Sequence, residues 1–193
     1  MSPPRTFLLA LTAAVTLSLA NSAQADLIVN GGFETGDFSG WTQSGDLQDT
    51  FVQGGTSPMS PNSSGFQAFL GPPKVGLLAQ ALATTPGASY TIDFRLAAQN
   101  PQANFFALKW GGTTIFSLTN TPGFGYTEYT FNVTASSATT ALQFQFLDHL
   151  GNFFLDNVSV NPCIPNVPDT GSTFSLLGFA SLGLVALRRK LSC

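Results

Sequence analysis

The sequence predicts an all-β domain, an antiparallel sandwich set between two apolar ends, and three observations carry that expectation. Between residues 26 and 162 short apolar-alternating runs are separated by Gly, Pro, Asn and Ser, the spacing of half-buried strands joined by turns. No helical periodicity of useful length appears in the same stretch. Only 9% of the 193 residues are charged while 44% are hydrophobic, and Phe alone occurs 18 times, so the chain has the means to bury a core without staples.

The clearest strand covers residues 89–97, where Tyr90, Ile92, Phe94 and Leu96 fall on one face and Thr85-Pro86-Gly87 supplies the preceding turn. Phe106, Leu108 and Trp110 alternate in the next run. Gly111-Gly112 then predicts a tight hairpin with positive φ angles, returning through residues 115–118. Tyr129, Phe131 and Val133 mark another strand, Leu142, Phe144 and Phe146 a further one, and residues 153–160 the last before Pro162.

The two ends read as processing segments. Arg5, an apolar run over residues 7–19 and Ala23-Gln24-Ala25 have the three-part layout of a secretory signal peptide, expected to be cleaved after Ala25. At the other end, Val167-Pro168-Asp169-Thr170-Gly171 precedes an apolar run over residues 174–187, then Arg188, Arg189 and Lys190. Fourteen helical residues span ~21 Å, short for a permanent anchor. The three cations are expected to stay cytoplasmic and so set the topology. This tail resembles the VPDSG-CTERM variant of the PEP-CTERM sorting signals, with Thr170 where that motif has Ser. The resemblance implies an exosortase as processing partner, a transient inner-membrane intermediate, and delivery to the cell surface or outside the cell. The expected organisation is a signal peptide (1–25), a β-sandwich (26–162), a linker with the sorting motif (163–172), and a transmembrane helix with its basic tail (173–193).

The opening Leu27-Ile28-Val29-Asn30-Gly31-Gly32-Phe33-Glu34 with Phe38-Ser39-Gly40-Trp41, and the closing Phe154-Leu155-Asp156-Asn157-Val158-Ser159-Val160, resemble the two edges of galactose-binding-like jelly rolls found in carbohydrate-binding modules. The resemblance implies a jelly-roll sandwich in which the first and last strands lie together. It also implies a structural calcium ion with Glu34 and Asp156 as carboxylate ligands, helped by carbonyls near Gly36 and Asp37. Calcium takes six to eight oxygens, so two carboxylates with carbonyls and water suit it chemically.

Nine acids against three bases in residues 26–162 leave a net charge of −6, and no basic stripe is interleaved with aromatics, so nucleic acid is excluded as a partner. Carbohydrate recognition needs exposed rings, and Trp41, Trp110, Tyr126 and Tyr129 are available; Trp41 reads as core. Trp110, beside a hairpin turn, and Tyr126 are the candidate ligand-binding rings, although the alternation of Trp110 with Phe106 and Leu108 argues equally for its burial. His149 is the only histidine and reads as part of a polar turn, and no acids are spaced as a catalytic pair. Cys163 and Cys193 show no metal-ligand spacing. The expected function is non-enzymatic, a structural or adhesive surface or extracellular-matrix protein; the alternatives are a carbohydrate-binding module, with extracellular polysaccharide as partner, and a glycoside hydrolase.

Overall fold

A computed structural model describes residues 25–54, 65–99 and 103–163. The signal peptide up to residue 24, the sorting motif Val167 to Gly171, the apolar run after it and the cations Arg188, Arg189 and Lys190 lie outside the described residues.

Among the described residues, ten strands form two five-stranded antiparallel sheets, a jelly-roll β-sandwich. The strands are β1 (Thr42–Gly45), β2 (Thr50–Gly54), β3 (Phe66–Leu70), β4 (Gly76–Ala83), β5 (Ser89–Ala98), β6 (Asn104–Trp110), β7 (Thr113–Thr119), β8 (Phe124–Thr134), β9 (Thr139–Asp148) and β10 (Phe153–Pro162). One sheet has the order β1-β4-β9-β6-β7, the other β2-β3-β10-β5-β8. Successive strands β9 and β10 therefore belong to different sheets, and the turn between them crosses one end of the sandwich.

The alternation that predicts the later strands also decides their faces. Ile92, Phe94 and Leu96 of β5 and Leu142, Phe144 and Phe146 of β9 are fully buried between the sheets. Phe94 meets Phe144 edge-on at 5.4 Å, and Phe106 lies 5.4 Å from Phe153. Gly111 and Gly112 adopt φ of 55° and 85°, the left-handed pair that a two-residue hairpin requires. Four strands, β1 to β4, lie where the sequence pattern marks none. The reason is physical: β1 is exposed at every residue, so it carries no apolar signal, and β2 and β3 are only five residues long. Strand β4 has Leu and Ala on its outer face as well as Leu on its inner one, so its sequence shows no contrast.

The opening segment lies along β10 without forming a strand. Leu27 N–H donates to Val160 O at 2.9 Å and Val158 N–H to Gly31 O at 3.0 Å, while Asp26 Oδ1 accepts the Val160 N–H at 2.8 Å. A Cβ at Gly31 would sit 1.9 Å from Val158 O, so glycine is obligatory at this crossing. Trp41 is buried, stacks on Phe33 at 5.8 Å, and donates its indole N–H to Asn30 O at 3.1 Å.

Candidate functional site

The outer face of the β2-β3-β10-β5-β8 sheet carries a row of aromatic rings set by strand register. Phe51 of β2 pairs with Phe69 of β3, which pairs with Phe154 of β10. Phe51 stacks on Phe69 at 4.5 Å and 19°, and Phe69 meets Phe154 edge-on at 5.5 Å. Burial is graded along the row: Phe154 is fully buried, Phe69 is half-buried, and Phe51 is 45% exposed. The row is thus a supported platform, rigid at one end and open at the other.

At the end of this row lies a cavity of about 420 Å³, lined by Asp49, Phe51, Phe69, Gly71 and the β9–β10 turn, His149, Leu150, Gly151 and Asn152. Leu150 is 62% exposed at its rim. The turn is held from both sides. Asp148 Oδ1 accepts the Gly151 N–H at 2.8 Å and the Leu150 N–H at 3.4 Å. Asn152 Nδ2 donates to Gln99 Oε1 at 3.1 Å, and the Gln99 N–H to Asn152 O at 3.0 Å. Ring faces beside a carboxylate, an imidazole and an amide suit a ligand with an apolar face and hydroxyl edges. Asp49 is the only carboxylate among the lining residues, whereas two-carboxylate glycoside hydrolysis needs a facing pair.

One step along the strands the same face becomes polar. Gln53 pairs with Gln67, and Asp156 with Arg95, which pairs with Glu128. Tyr126 is half-buried and donates its hydroxyl to Gln67 Oε1 at 2.5 Å. Burial, joined by the nearby Asp156 carboxylate, pushes the Tyr126 phenol well above its ordinary value, so it stays a donor. Tyr126 therefore sits on the candidate face, as a support for Gln67.

Trp110 sits elsewhere. It is 6% exposed, donates its indole N–H to Thr134 O at 3.0 Å, and lies 5.8 Å from Tyr90. Its alternation with Phe106 and Leu108 governs it, and it lends only an edge to a second concavity of about 380 Å³ with Thr113, Ile115 and Asn132.

The calcium ligands implied by the resemblance flank the junction of opening segment and β10. A Glu34 carboxylate oxygen and Asn157 Oδ1 each lie 3.8 Å from the Cβ position of Gly32, so both converge there. Asp156 is fully buried, with Oδ1 accepting the Asn157 N–H at 2.7 Å. No group of three or more His, Cys, Asp or Glu is gathered among the described residues, so a calcium shell here would draw on Asn157 and backbone carbonyls beside Glu34 and Asp156. That oxygen-only chemistry fits the ion.

Phe51, Phe69, Asp49 and Asn152 were not signalled by the sequence. Their convergence depends on β2, β3 and the β9–β10 turn meeting across about a hundred residues, and the one local clue is the Asp148-His149-Leu150-Gly151 turn, with an apolar residue at its tip.

Residues 166–191 match the VPDSG-CTERM motif. No curated protein matches the chain. Among solved structures, the chain is similar to TmCBM61 in complex with β-1,4-galactotriose, at TM-score 0.61 and 19% identity over 72% of this chain and 99% of that one. It is also similar to the CBM22-1 and GH10 modules of endo-1,4-β-D-xylanase 10B from Clostridium thermocellum, complexed with xylohexaose, at TM-score 0.52 and 15% identity over 75% of this chain and 30% of that one. A third is the K1 cleaved adhesin domain of Lys-gingipain from Porphyromonas gingivalis W83, at TM-score 0.51 and 13% identity over 66% and 96%. These likenesses establish the jelly-roll fold, and the motif marks an exported protein that is processed at the membrane.

Proposed function

We propose that this chain is an exported, non-enzymatic surface protein whose sandwich holds polysaccharide in the Phe51–Phe69 cavity, so that adhesion is achieved through glycan binding. The observation that carries the reading is an exposed ring, Phe51, stacked on Phe69 and facing Asp49, His149 and Asn152 in one cavity. A sugar ring lays its C–H face on an aromatic ring while its hydroxyls bond polar neighbours. The neighbours complexed with galactotriose and xylohexaose support this reading and supply the first probes. The sorting motif supports processing by an exosortase-type enzyme, with Arg188, Arg189 and Lys190 retained in the cytoplasm until the tail is removed. Glu34 and Asp156 would hold a calcium ion as a tie between the opening segment and β10, a structural role away from the cavity.

Titration of the chain with β-1,4-galactotriose and with xylohexaose tests the cavity. Phe51→Ala is expected to weaken binding at least ~10-fold, about 1.4 kcal/mol. A variant that binds either sugar as the wild type does would remove the cavity from the function.

A further inference from the structure

The β9–β10 turn supplies four of the eight residues lining the cavity, and one buried side chain organises that turn. Asp148, the last residue of β9, is fully buried. Its Oδ1 accepts the Leu150 and Gly151 N–H groups, its own N–H donates to Pro72 O at 3.0 Å, and its Oδ2 is buried without a hydrogen-bond partner. A buried carboxylate that reaches only two backbone donors is expensive to keep ionised. An amide or a hydrocarbon at this site would avoid that cost.

Resting on the polysaccharide-cavity reading, we propose that Asp148 is a positioning residue for the cavity: its ionised carboxylate holds the turn that carries His149, Leu150 and Asn152, and sugar affinity follows its ionisation. Loss of the charge weakens both backbone bonds, since hydrogen bonds to an ionised acceptor are roughly twice as strong as neutral ones. The turn then relaxes away from Phe51 and Phe69. Burial holds the Asp148 carboxyl above its ordinary 3.8, against the pull of the Gly151 and Leu150 N–H groups, so the loss sets in at milder acidity than for a solvated carboxylate. Across from Asp148 on β6 stands Asn104, which does not titrate, and the Pro72 carbonyl accepts the Asp148 N–H; Lys74, two residues beyond Pro72, is the cation of that loop. The titratable cavity residues Asp49 and His149 form no hydrogen bond or ion pair with it among the described residues.

The test pairs two readouts on the full chain. Amide hydrogen exchange at Leu150 and Gly151 reports the turn. Affinity for galactotriose and xylohexaose across the acid range reports the cavity. Asp148→Asn keeps an acceptor oxygen and removes the charge, and because burial disfavours the charged form this variant is expected to fold. It should exchange the two amides at least ~10-fold faster at neutral pH and bind as weakly there as the wild type does in acid, with a flat pH profile. Asp148→Glu, which restores charge, should recover the acid-dependent profile in part. His149→Gln and Asp49→Asn, which remove the other titrating groups of the cavity, should keep the acid-side loss whatever they do to affinity. Wild-type exchange and an unchanged pH profile in Asp148→Asn would overturn the proposal. A wild type that binds neither sugar, with the amide response intact, would sink the glycan reading and still support control of the turn by Asp148.

Discussion

Two groups of aromatic rings lie on opposite faces of the β2-β3-β10-β5-β8 sheet. Inside, Phe94 of β5 lies between the sheets with Phe106, Phe144, Tyr129 and Phe131 around it, and no solvent reaches it. Outside, Phe51, Phe69 and Phe154 form a single row whose exposure rises to 45% at its end. The inner rings have neighbours on every side and contribute stability through packing. The outer row, with one face free, presents surface. Phenylalanine, 18 of the 193 residues, thus does two jobs, and the number of sides on which each ring is packed separates them.

The largest expected effect breaks the inner group. Phe94→Ala removes a fully buried ring at the centre of the cluster and is expected to cost about 3–5 kcal/mol, read from the denaturant midpoint at constant slope. A loss below about 2 kcal/mol would mean that the surrounding rings collapse into the space. Calcium is the next largest. If Glu34 and Asp156 tie the opening segment to β10, an ion at ~100 times its dissociation constant adds about 2.7 kcal/mol, seen as a higher melting temperature in calcium than in chelator and absent in Asp156→Ala. Matching curves with and without the ion, and no metal by mass, would leave both acids without that role. Third comes the outer group: Phe51→Ala, already half in solvent, is expected to lower stability by less than about 1 kcal/mol while removing sugar affinity. A loss as large as that of Phe94→Ala would erase the distinction between the two groups.

How much of this was legible follows from the same contrast. Period-two alternation marks β5, β6, β9 and β10 because each buries one face, and Phe94, Phe144 and Phe146 stand out on that ground, while β7 and β8 bury theirs only in part and β4 hides its alternation behind apolar residues on both faces. Strand β1 buries nothing and β2 is half-exposed throughout, so neither leaves a periodic trace. The opening and closing motifs made the pairing of the opening segment with β10 legible, since they reflect a backbone crossing at Gly31 that tolerates no other residue. The cavity was not legible. Phe51 and Phe69 look like any other strand phenylalanine until the register of β2 on β3 stacks them, and Trp110 attracts attention by type while its alternation buries it. Tyr126 is signalled by the sequence as a ring, and the hydrogen bond from its hydroxyl to Gln67 appears only in the structure.

The smallest effect sharpens the comparison on the polar half of the outer face. Arg95, the only cation among the strands of this sheet, lies in register between the fully buried Asp156 and Glu128, and its guanidinium reaches Glu128 Oε2 at 3.4 Å. The two side chains of that ion pair are 29% and 61% exposed, so water and salt screen it and its net worth falls in the range of about 0–1 kcal/mol. Glu128→Gln retains an acceptor for Arg95 and should shift stability by no more than about 0.5 kcal/mol, less still at high salt. If Glu128 instead fixes Arg95 as the counter-charge of Asp156, its removal leaves a buried carboxylate with a displaced cation, and the cost rises toward the 3–5 kcal/mol typical of breaking a buried pair. Urea midpoints of Glu128→Gln at low and high salt separate the two cases. A small, salt-sensitive change makes the row a solvated rim beside the aromatic platform, and a large, salt-insensitive one makes it a second core on the outside of the sandwich.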